Sequence, residues 1–300
     1  MNNRYHIGAF AVLLGGSCLG LSGVFLRHID QADGWSILFY RSGTFFLTLL
    51  AVLAFQYRGG LYRAFTAIGK KGLAAALLLS IGNICYIFAM LNTTVANVVF
   101  IIGSAPLFTA LLAWIFLKEA VTGLSLVAMM IAMLGIGLMF ADGLVTGGWF
   151  GNLLALFMVL MYALYLLMLR GSQNVDMIPA TCLSGLVTAI IVIPMMTSEI
   201  GSGFAISKDD LIICMLLGTV QFGLGFYCIT IGARYIPAAE VALFSLSESI
   251  LNPVLVWIFV GEVPSTFTIY GSLLVLISVV TYSIIAIRRE RQQATSTHST

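Results

Sequence analysis

Runs of about 20 apolar residues follow one another along the chain, and short breaks of charged, glycine and other turn-forming residues separate them. An α-helix of about 20 residues crosses the roughly 30 Å hydrocarbon core of a bilayer, so each run has the length of a membrane-spanning helix. The pattern predicts ten such helices, which we number as segments 1 to 10. Their predicted ranges are Gly8–Ile29, Gly34–Phe55, Gly72–Leu91, Ala96–Leu117, Val121–Phe140, Gly148–Met168, Met177–Thr197, Leu211–Gly232, Ala238–Val260 and Thr268–Ile287.

The composition indicates that lipid is the solvent of these helices. Hydrophobic residues make up 60% of the chain and charged residues 9%, with a mean hydropathy of +1.06, whereas soluble domains carry about 25% charged residues. So few charges cannot cover the surface of a water-soluble fold of this length. The sequence therefore predicts an all-α polytopic membrane protein and gives no basis for a nucleic-acid partner.

The lysines and arginines predict the orientation of the helices. With the N-terminus inside, eleven of the 14 fall on the cytoplasmic side, Arg27 and Lys208 fall outside, and Arg41 lies within segment 2. Cytoplasmic loops carry an excess of Lys and Arg. We therefore expect both termini to be cytoplasmic.

A short block of sequence recurs at about half the chain length. Trp114-Ile115-Phe116-Leu117-Lys118-Glu119 is followed 143 residues later by Trp257-Ile258-Phe259-Val260-Gly261-Glu262. This recurrence indicates two homologous halves, which we place at residues 1–146 and 147–287, with a polar cytoplasmic tail at 288–300 that we expect to be disordered. Five helices per half is an odd number, so the second half must be inverted relative to the first. Inverted repeats are typical of carriers that work by alternating access.

The layout and several stretches resemble the EamA-type permeases of the drug/metabolite transporter superfamily. The stretches are Gly34–Ser42, Ala105-Pro106-Leu107 with Lys118-Glu119, and Glu248–Glu262 with its internal Asn252-Pro253. The resemblance covers essentially the whole chain. It implies a bacterial inner-membrane permease for small organic solutes, often moving them outward, with segments 1, 3, 4, 6, 8 and 9 lining the cavity. Because Pro106 and Pro253 do not align between the halves, the kinks of segments 4 and 9 are expected at different depths.

Glu248 has the largest expected free-energy cost of membrane insertion in the chain, because a charge in the middle of a membrane helix costs about 2.5–3.5 kcal/mol on insertion scales. It either binds a cationic group or a coupling proton in the cavity, or it is a paired structural glutamate. Asn252 lies one turn further on the same face. There Pro253 frees the carbonyl of Ser249, which suits a substrate site and equally suits a plain kink.

Arg41 lies about seven residues into segment 2, roughly 10 Å from its outer end at 1.5 Å per residue. Its guanidinium is suited to clamping a carboxylate in bidentate fashion. The alternatives are that it extends to the outer interface or pairs with an acidic residue. Because the resemblance does not place segment 2 in the cavity, a structural role is the favoured interpretation.

The remaining candidates are polar or aromatic. Asn97 and Glu240 align near the starts of segments 4 and 9, where they act as gates or as helix caps, and capping is favoured. Trp114 and Trp257 are expected to be interfacial anchors. Amphipathic side chains in segments 3, 6 and 8 suit a cavity for an amino acid or an aromatic solute, although packing is the commoner role of such residues. These side chains are Asn83, Tyr86, Tyr162, Gln221 and Tyr227.

The sequence gives no pattern for catalysis, a metal or a cofactor. The five cysteines form no CxxC pair, and there is no HExxH motif or phosphate-cradling glycine loop. We therefore predict a secondary transporter of small organic metabolites, with amino acids or related solutes as the favoured cargo and proton coupling or exchange as the working hypothesis. A broad-specificity drug exporter is the alternative, and a channel or an intramembrane enzyme is less favoured. The expected partners are the solute, the lipid bilayer and protons, and the protein is expected to be a monomer or a weak dimer.

Overall fold

The computed structural model describes the backbone of residues 3–118, 123–170, 175–198, 201, 203–232, 235 and 238–297. It describes the side chains of these residues except at 3, 4, 117, 125, 170, 238–240, 242, 243 and 286–297. Secondary structure in the described ranges consists of helices.

In the described ranges, nine helical segments are long and apolar enough to cross a membrane, and the shorter apolar stretch Phe244–Val260 belongs to segment 9, which completes the ten. The chain is therefore a multi-pass membrane protein of ten segments, as the sequence predicts. In order, their helices are Asn3–Leu19 with Ser22–Arg27, Gly34–Tyr57, Gly69–Asn92, Val95–Gly103 with Ala105–Leu117, Gly123–Thr146, Trp149–Arg170, Ile178–Met196, Lys208–Leu216 with Leu217–Leu224 and Gly225–Gly232, Ala238–Val260, and Thr266–Thr297. A short helix, Leu61–Ala67, connects segments 2 and 3.

Three of the segments are interrupted. Segment 1 breaks at Gly20–Leu21, segment 4 breaks at Ser104, and segment 8 contains a π-helical stretch over Leu217–Leu224. Pro106 is at the start of the second helix of segment 4, where its missing N–H costs no hydrogen bond. Segment 9, in contrast, continues through Pro253 as one helix. The two prolines therefore act differently in the two halves.

The packing of the segments has the pattern of a two-fold relation between the halves. Segment 1 packs against segments 8 and 9, and segment 6, five places later, packs against segments 3 and 4. Segments 2, 4 and 5 pack against their own counterparts, segments 7, 9 and 10. Adding five to, or subtracting five from, the number of each segment in a packed pair gives another packed pair for the main contacts. This is expected for two inverted repeats of five helices.

The ends of segments 4 and 9 repeat in backbone conformation as well as in sequence. Lys118 has φ 55° and Gly261, 143 residues later, has φ 78°, so both helices end at a left-handed residue. The block before each end faces outward, because Trp114 is 49% exposed and Trp257 is 57% exposed. The repeated block therefore lies on the lipid-facing surface rather than in a binding site.

Glycines let segment 1 approach segment 9 closely. A Cβ on Gly16 would lie 2.3 Å from the Ser247 hydroxyl, and one on Gly23 would lie 2.4 Å from the Asn252 amide oxygen. Gly20, between them, faces Leu251. Small residues at this spacing allow helix backbones in a membrane to come together.

The polar tail differs from expectation. The last helix runs from Thr266 to Thr297, so it includes residues 288–297 of the segment expected to be disordered. A helix already formed in the membrane continues outward without a new nucleation step, which the polar composition alone does not reveal. The domain boundary near residue 146 stays a prediction.

Candidate functional site

The candidate site forms where segment 1 is interrupted. Ser22 begins the second helix of this segment, and the first N–H groups of a helix have no partner within it. Asn252 from segment 9 supplies one partner, because its side-chain oxygen accepts the Gly23 N–H at 3.1 Å. The break in one segment is thus satisfied by a side chain from the opposite half.

The Ser22 hydroxyl oxygen is the centre of this contact. It accepts a hydrogen bond from the Tyr86 hydroxyl at 2.7 Å and one from the Asn252 side-chain amide at 2.9 Å. Ser22 and Asn252 are fully buried and Tyr86 nearly so. Segments 1, 3 and 9 therefore meet through one buried polar cluster, which we call the Ser22 cluster (Ser22, Tyr86 and Asn252).

Arg41 adjoins this cluster and does not reach the outer interface. Its guanidinium carbon lies 5.4 Å from the Tyr86 ring centroid and 4.4 Å from that of Phe222 in segment 8. The side chain is 2% exposed, and its Nε has no hydrogen-bond partner. A desolvated cation–π contact is worth about 2 kcal/mol, so the two rings offset much of the insertion cost of the charge. The contacts with the two rings leave the Nε–H of Arg41 without a hydrogen-bond acceptor.

Glu248 is half-buried in the interior of segment 9, one turn before Asn252. Its charge lies close enough to interact electrostatically with the hydroxyls of Tyr86 and Tyr162. Glu248 forms no ion pair among the described residues, where the ion pair that is present joins Arg27 and Glu262. A carboxylate in a membrane helix without a cationic partner is free to receive one.

The other predicted cavity residues take different positions. Gln221 is buried and donates from its side-chain nitrogen to the Leu19 carbonyl at 3.4 Å, directly before the break of segment 1. Its side-chain oxygen has no partner. Tyr162 is stacked on Tyr165 at 5.9 Å between ring centroids. Asn83 is buried and Tyr227 half-buried, and the structure does not connect either to the Ser22 cluster through a hydrogen bond.

An ion pair joins several segments at one end of the helices. Arg27, the last residue of the second helix of segment 1, donates from Nε to Glu262 Oε2 at 2.8 Å. Its Nη1 and Nη2 donate to the carbonyls of Met90 and Thr93 at 2.9 and 2.8 Å. Glu262 Oε1 accepts the N–H of Val95, the first residue of segment 4, at 2.7 Å. Segments 1, 3, 4 and 9 are thus tied together at one end.

Asn97 belongs to a second polar network at this end. The Thr94 hydroxyl accepts the Asn97 N–H, so the cap of segment 4 is Thr94 and not Asn97 as favoured from the sequence. The Asn97 side chain is buried and accepts from the Thr268 hydroxyl at 2.7 Å, which in turn contacts Asp142 at 3.4 Å. The alignment of the halves drew attention to Asn97, but Thr94, three positions earlier, has the side-chain oxygen at the cap position.

Two of the positions singled out from the sequence lie outside what the structure describes. The backbone of Glu240 lies in helix Ala238–Val260, but its side chain is not among the described ones. Glu119 lies outside the described residues. Within the described ranges, no group of three His, Cys, Asp or Glu side chains is placed to hold a metal ion.

Sequence reasoning missed Ser22, Phe222 and Asp142. Serines and phenylalanines are common in membrane helices, so nothing marked the first two. Asp142 was assigned to a loop because segment 5 was predicted to end at Phe140, whereas the helix continues to Thr146. The signal that was available for Ser22 is its position beside the glycines of segment 1, where close packing brings another helix against the hydroxyl.

The arrangement combines features of a solute-binding site in a membrane. Interrupted helices expose backbone groups inside the protein, where polar side chains and solutes can bond them. A buried cation, Arg41, and a carboxylate, Glu248, adjoin the Ser22 cluster without forming an ion pair among the described residues. The chemistry available is recognition of a polar or charged solute.

Comparisons with known proteins agree with this organisation. A model of the EamA-like transporter family matches residues 6–141 and again residues 149–284. The two matches are offset by 143 residues, the separation of the repeated block, and they confirm the resemblance drawn from the sequence. The uncharacterized transporter YwfM of Bacillus subtilis (strain 168) is 23% identical over 294 residues, which cover 97% of this chain and 87% of that protein. A crystal structure of a protein that is 17% identical has the same fold, with a TM-score of 0.59 over 97% of this chain and 100% of its own.

Proposed function

Since the chain belongs to the EamA-like transporter family, we propose that it is a secondary transporter that moves small organic metabolites across a bacterial inner membrane by alternating access. The favoured cargo is an amino acid or a related solute. The observation that carries the proposal is the pairing of a polar site inside the membrane with an ion pair that ties the segments together at one end. A carrier needs both a site and a closure that can be released.

The closure joins elements that rigid-body rocking of the halves would separate. Arg27, Met90, Thr93 and Val95 belong to the first half and Glu262 to the second. Two hydrogen bonds, donated by Arg27 Nε and the Val95 N–H and both accepted by Glu262, fasten the halves at this end, and the two further bonds from Arg27 hold it within the first half. With both termini cytoplasmic, this end is the outer one.

The repeat supplies the same two charges for the opposite end. Adding 143 to Arg27 gives Arg170, and subtracting 143 from Glu262 gives Glu119. The left-handed residues Lys118 and Gly261 precede the two glutamates, so the chain leaves segments 4 and 9 in the same way. In inverted repeats, equivalent residues lie at opposite faces of the membrane. An Arg170–Glu119 pair at the inner end would therefore replace the Arg27–Glu262 pair when the outer end opens.

If transport is coupled to protons or works by exchange, Glu248 is the residue that takes up and releases the proton. It is half-buried, lies in the membrane interior and has no ion pair among the described residues. A carboxylate that alternately takes up a proton and a cationic group links the two movements, because it cannot hold both at once.

The proposal also includes the placement of the protein. Eleven of the 14 lysines and arginines lie at the end assigned to the cytoplasm, which supports an inner location of both termini. The two repeats, at 1–146 and 147–287, form the rocking halves, and the tail at 288–300 is cytoplasmic. A monomer is sufficient for this mechanism, because both halves are in one chain.

The experiment that tests the function is transport by purified protein in proteoliposomes. The panel contains labelled amino acids, other metabolites and cationic drugs, each with and without a pH gradient. Saturable uptake of one class supports the dedicated carrier, and uptake of many unrelated cations supports the broad drug exporter instead. Folded protein that transports no member of the panel contradicts the permease proposal.

Coupling is tested separately with Glu248→Gln. We expect this variant to lose the response of transport to the pH gradient, since an amide cannot take up a proton. Normal transport by Glu248→Gln with unchanged pH dependence would exclude the coupling role.

A further inference from the structure

Arg41 is a buried cation that the fold leaves incompletely partnered. It is among the largest fully buried side chains in the described part of the protein, and it lies within a membrane helix. The usual solutions for such a residue are an acidic partner, a backbone carbonyl or an extended conformation that reaches the interface. Arg41 does not reach the interface, because it is 2% exposed.

The contacts of Arg41 are aromatic rather than acidic. Phe222 lies against the guanidinium at 4.4 Å and Tyr86 at 5.4 Å from their ring centroids. In the described part of the chain no carboxylate is within ion-pair distance of Arg41, and its Nε donor has no acceptor. Rings held against the guanidinium orient it and leave its planar edge, which carries the N–H groups, for a carboxylate.

Glu248 belongs to the same polar region as Tyr86. It lies one helical turn before Asn252, whose side chain bonds the Ser22 hydroxyl. This hydroxyl also accepts from Tyr86, and Arg41 lies against the Tyr86 ring. Opposite charges in a low-dielectric interior attract strongly, yet Arg41 and Glu248 are not in contact. A cation and an anion that lie in one polar region without pairing suit a molecule that carries the complementary pair of charges.

A second atom in this region lacks a partner. Gln221 precedes Phe222 in the π-helical stretch of segment 8, and its buried side-chain oxygen accepts no hydrogen bond. Buried polar groups in proteins are nearly always satisfied, so such groups indicate a bound molecule when they cluster. Arg41 offers a donor and Gln221 an acceptor on adjoining elements.

We propose that Arg41 binds the carboxylate of a zwitterionic solute and Glu248 binds its ammonium group, in the polar region of Tyr86. The inference rests on the proposed function and narrows it from small organic metabolites to molecules that carry both charges. Arg41 is then a residue that determines specificity, although segment 2 was not expected to contribute to the cavity.

The first test uses the unmodified protein and solutes that differ by one group. Counterflow of labelled leucine in proteoliposomes is measured against competition by leucine, by leucinamide, which lacks the carboxylate charge, and by isocaproate, which lacks the amine. Alanine, phenylalanine and lysine are tested with the same modifications. We expect the free amino acid that competes best to exceed both of its derivatives by at least about tenfold. Equal competition by the amide overturns the role of Arg41.

The second test assigns each charge to its residue. Arg41→Gln is expected to abolish the preference for the acid over the amide, and Glu248→Gln the preference for the amine over the deaminated acid. Thr48→Ala is the matched control, because Thr48 lies two turns further along segment 2 and its hydroxyl donates to the Thr44 carbonyl of its own helix. An Arg41→Gln variant that elutes as folded protein and keeps the full preference for the carboxylate contradicts the proposal.

The outcomes separate this inference from the function on which it rests. If amines or drugs exchange without any preference for a carboxylate, the chain is a carrier and the zwitterion site is wrong. If no solute exchanges, both the function and the site are wrong. If Arg41→Gln does not fold, Arg41→Lys keeps the charge without the bidentate geometry, and it must reduce the preference for the free acid several-fold for the proposal to stand.

Discussion

Arg27 and Glu262 form an ion pair 2.8 Å long across a sequence separation of 235 residues. Their side chains are 24% and 19% exposed, so the pair is partly shielded from water and from salt. Because each partner also bonds backbone groups at the ends of segments 3 and 4, the pair acts as a fastener between the halves rather than as an isolated surface contact.

Removing either charge should favour opening at this end. Arg27→Ala or Glu262→Gln loses charge-assisted hydrogen bonds, which we expect to shift the equilibrium by about 1–2 kcal/mol, or roughly 5- to 30-fold. The measurement is the rate at which a membrane-impermeant thiol reagent, applied from outside, labels Val256→Cys. Val256 is 1% exposed and packs beside Gly23.

The control for this prediction is the exchanged pair, Arg27→Glu with Glu262→Arg. It keeps the attraction between the two side chains and should return the labelling rate toward that of the unexchanged pair. The chain without the introduced cysteine gives the background, because its own cysteines are buried or half-buried. Labelling that is unchanged when either charge is removed would show that the pair does not hold the end closed.

The opposite effect is expected for the counterpart of Arg27 in the second half. Arg170→Ala should lower the labelling of Val256→Cys, since weakening the inner closure favours conformations that are closed outside. Combining Arg27→Ala with Arg170→Ala should bring the rate back between those of the single variants. If Arg170→Ala raises the labelling, or leaves it unchanged, the two ends are not exchanged by the repeat.

A methyl group at Gly23 should disrupt the contact between segments 1 and 9. A Cβ there would approach the Asn252 oxygen to 2.4 Å and side-chain atoms of Val256 and Val95 to 2.6 Å. We expect Gly23→Ala to destabilise the protein by about 1–3 kcal/mol and to reduce transport. Gly43→Ala is the control, because no atom lies within 4 Å of its added Cβ. Thermal unfolding followed by size-exclusion chromatography compares the two, and equal melting temperatures would be inconsistent with the tight contact.

The Ser22 cluster should behave as one unit. Ser22→Ala leaves the hydroxyl of Tyr86 and the amide of Asn252 without an acceptor, which costs about 1–3 kcal/mol per buried group. Tyr86→Phe removes one of these donors, so the double variant should cost less than the sum of the single ones. Ser17→Ala, whose hydroxyl bonds only the Leu13 carbonyl of its own helix, should be nearly neutral. Strict additivity in thermal unfolding would mean that the hydrogen bond contributes nothing to stability.

The fold could be predicted from the sequence because its determinants are local or periodic. Apolar runs of sufficient length predict helices individually, and the repeated Trp-Ile-Phe block together with the odd helix count predicts their inversion. The same block did not predict the site, because it lies at the lipid-facing ends of segments 4 and 9. The residues that two repeats have in common reveal the symmetry of the fold, and they need not be the residues of the binding site.

The sequence pointed to those residues of the site whose side chains are unusual in an apolar helix. Asn252 and Tyr86 belong to the Ser22 cluster, and Glu248 lies one turn before Asn252. Ser22 is common among membrane residues, and its partners Tyr86 and Asn252 are 64 and 230 residues away. Contacts at that range follow from how the halves pack, which depends on glycines in segment 1 whose partners the sequence does not specify.

Arg27 illustrates the same limit. The distribution of lysines and arginines predicts that Arg27 lies on the outer side. Glu262 was noted only as the last residue of the repeated block. Nothing in either neighbourhood predicts that the two meet, since the contact requires segments 1 and 9 to end at the same level. Once the contact is known, the spacing of 143 residues leads to the proposal that Arg170 and Glu119 are the equivalent pair.

The most direct test of the account is whether the protein exchanges solute as a carrier. Proteoliposomes are loaded with a high concentration of unlabelled free amino acid, diluted into a trace of the same labelled compound, and sampled over time. For an alternating-access carrier, label accumulates transiently above its equilibrium level. The unlabelled solute inside occupies the binding site, so labelled solute that has entered returns only slowly. Label that only approaches equilibrium, at a rate that does not saturate with concentration, would indicate a channel and contradict alternating access.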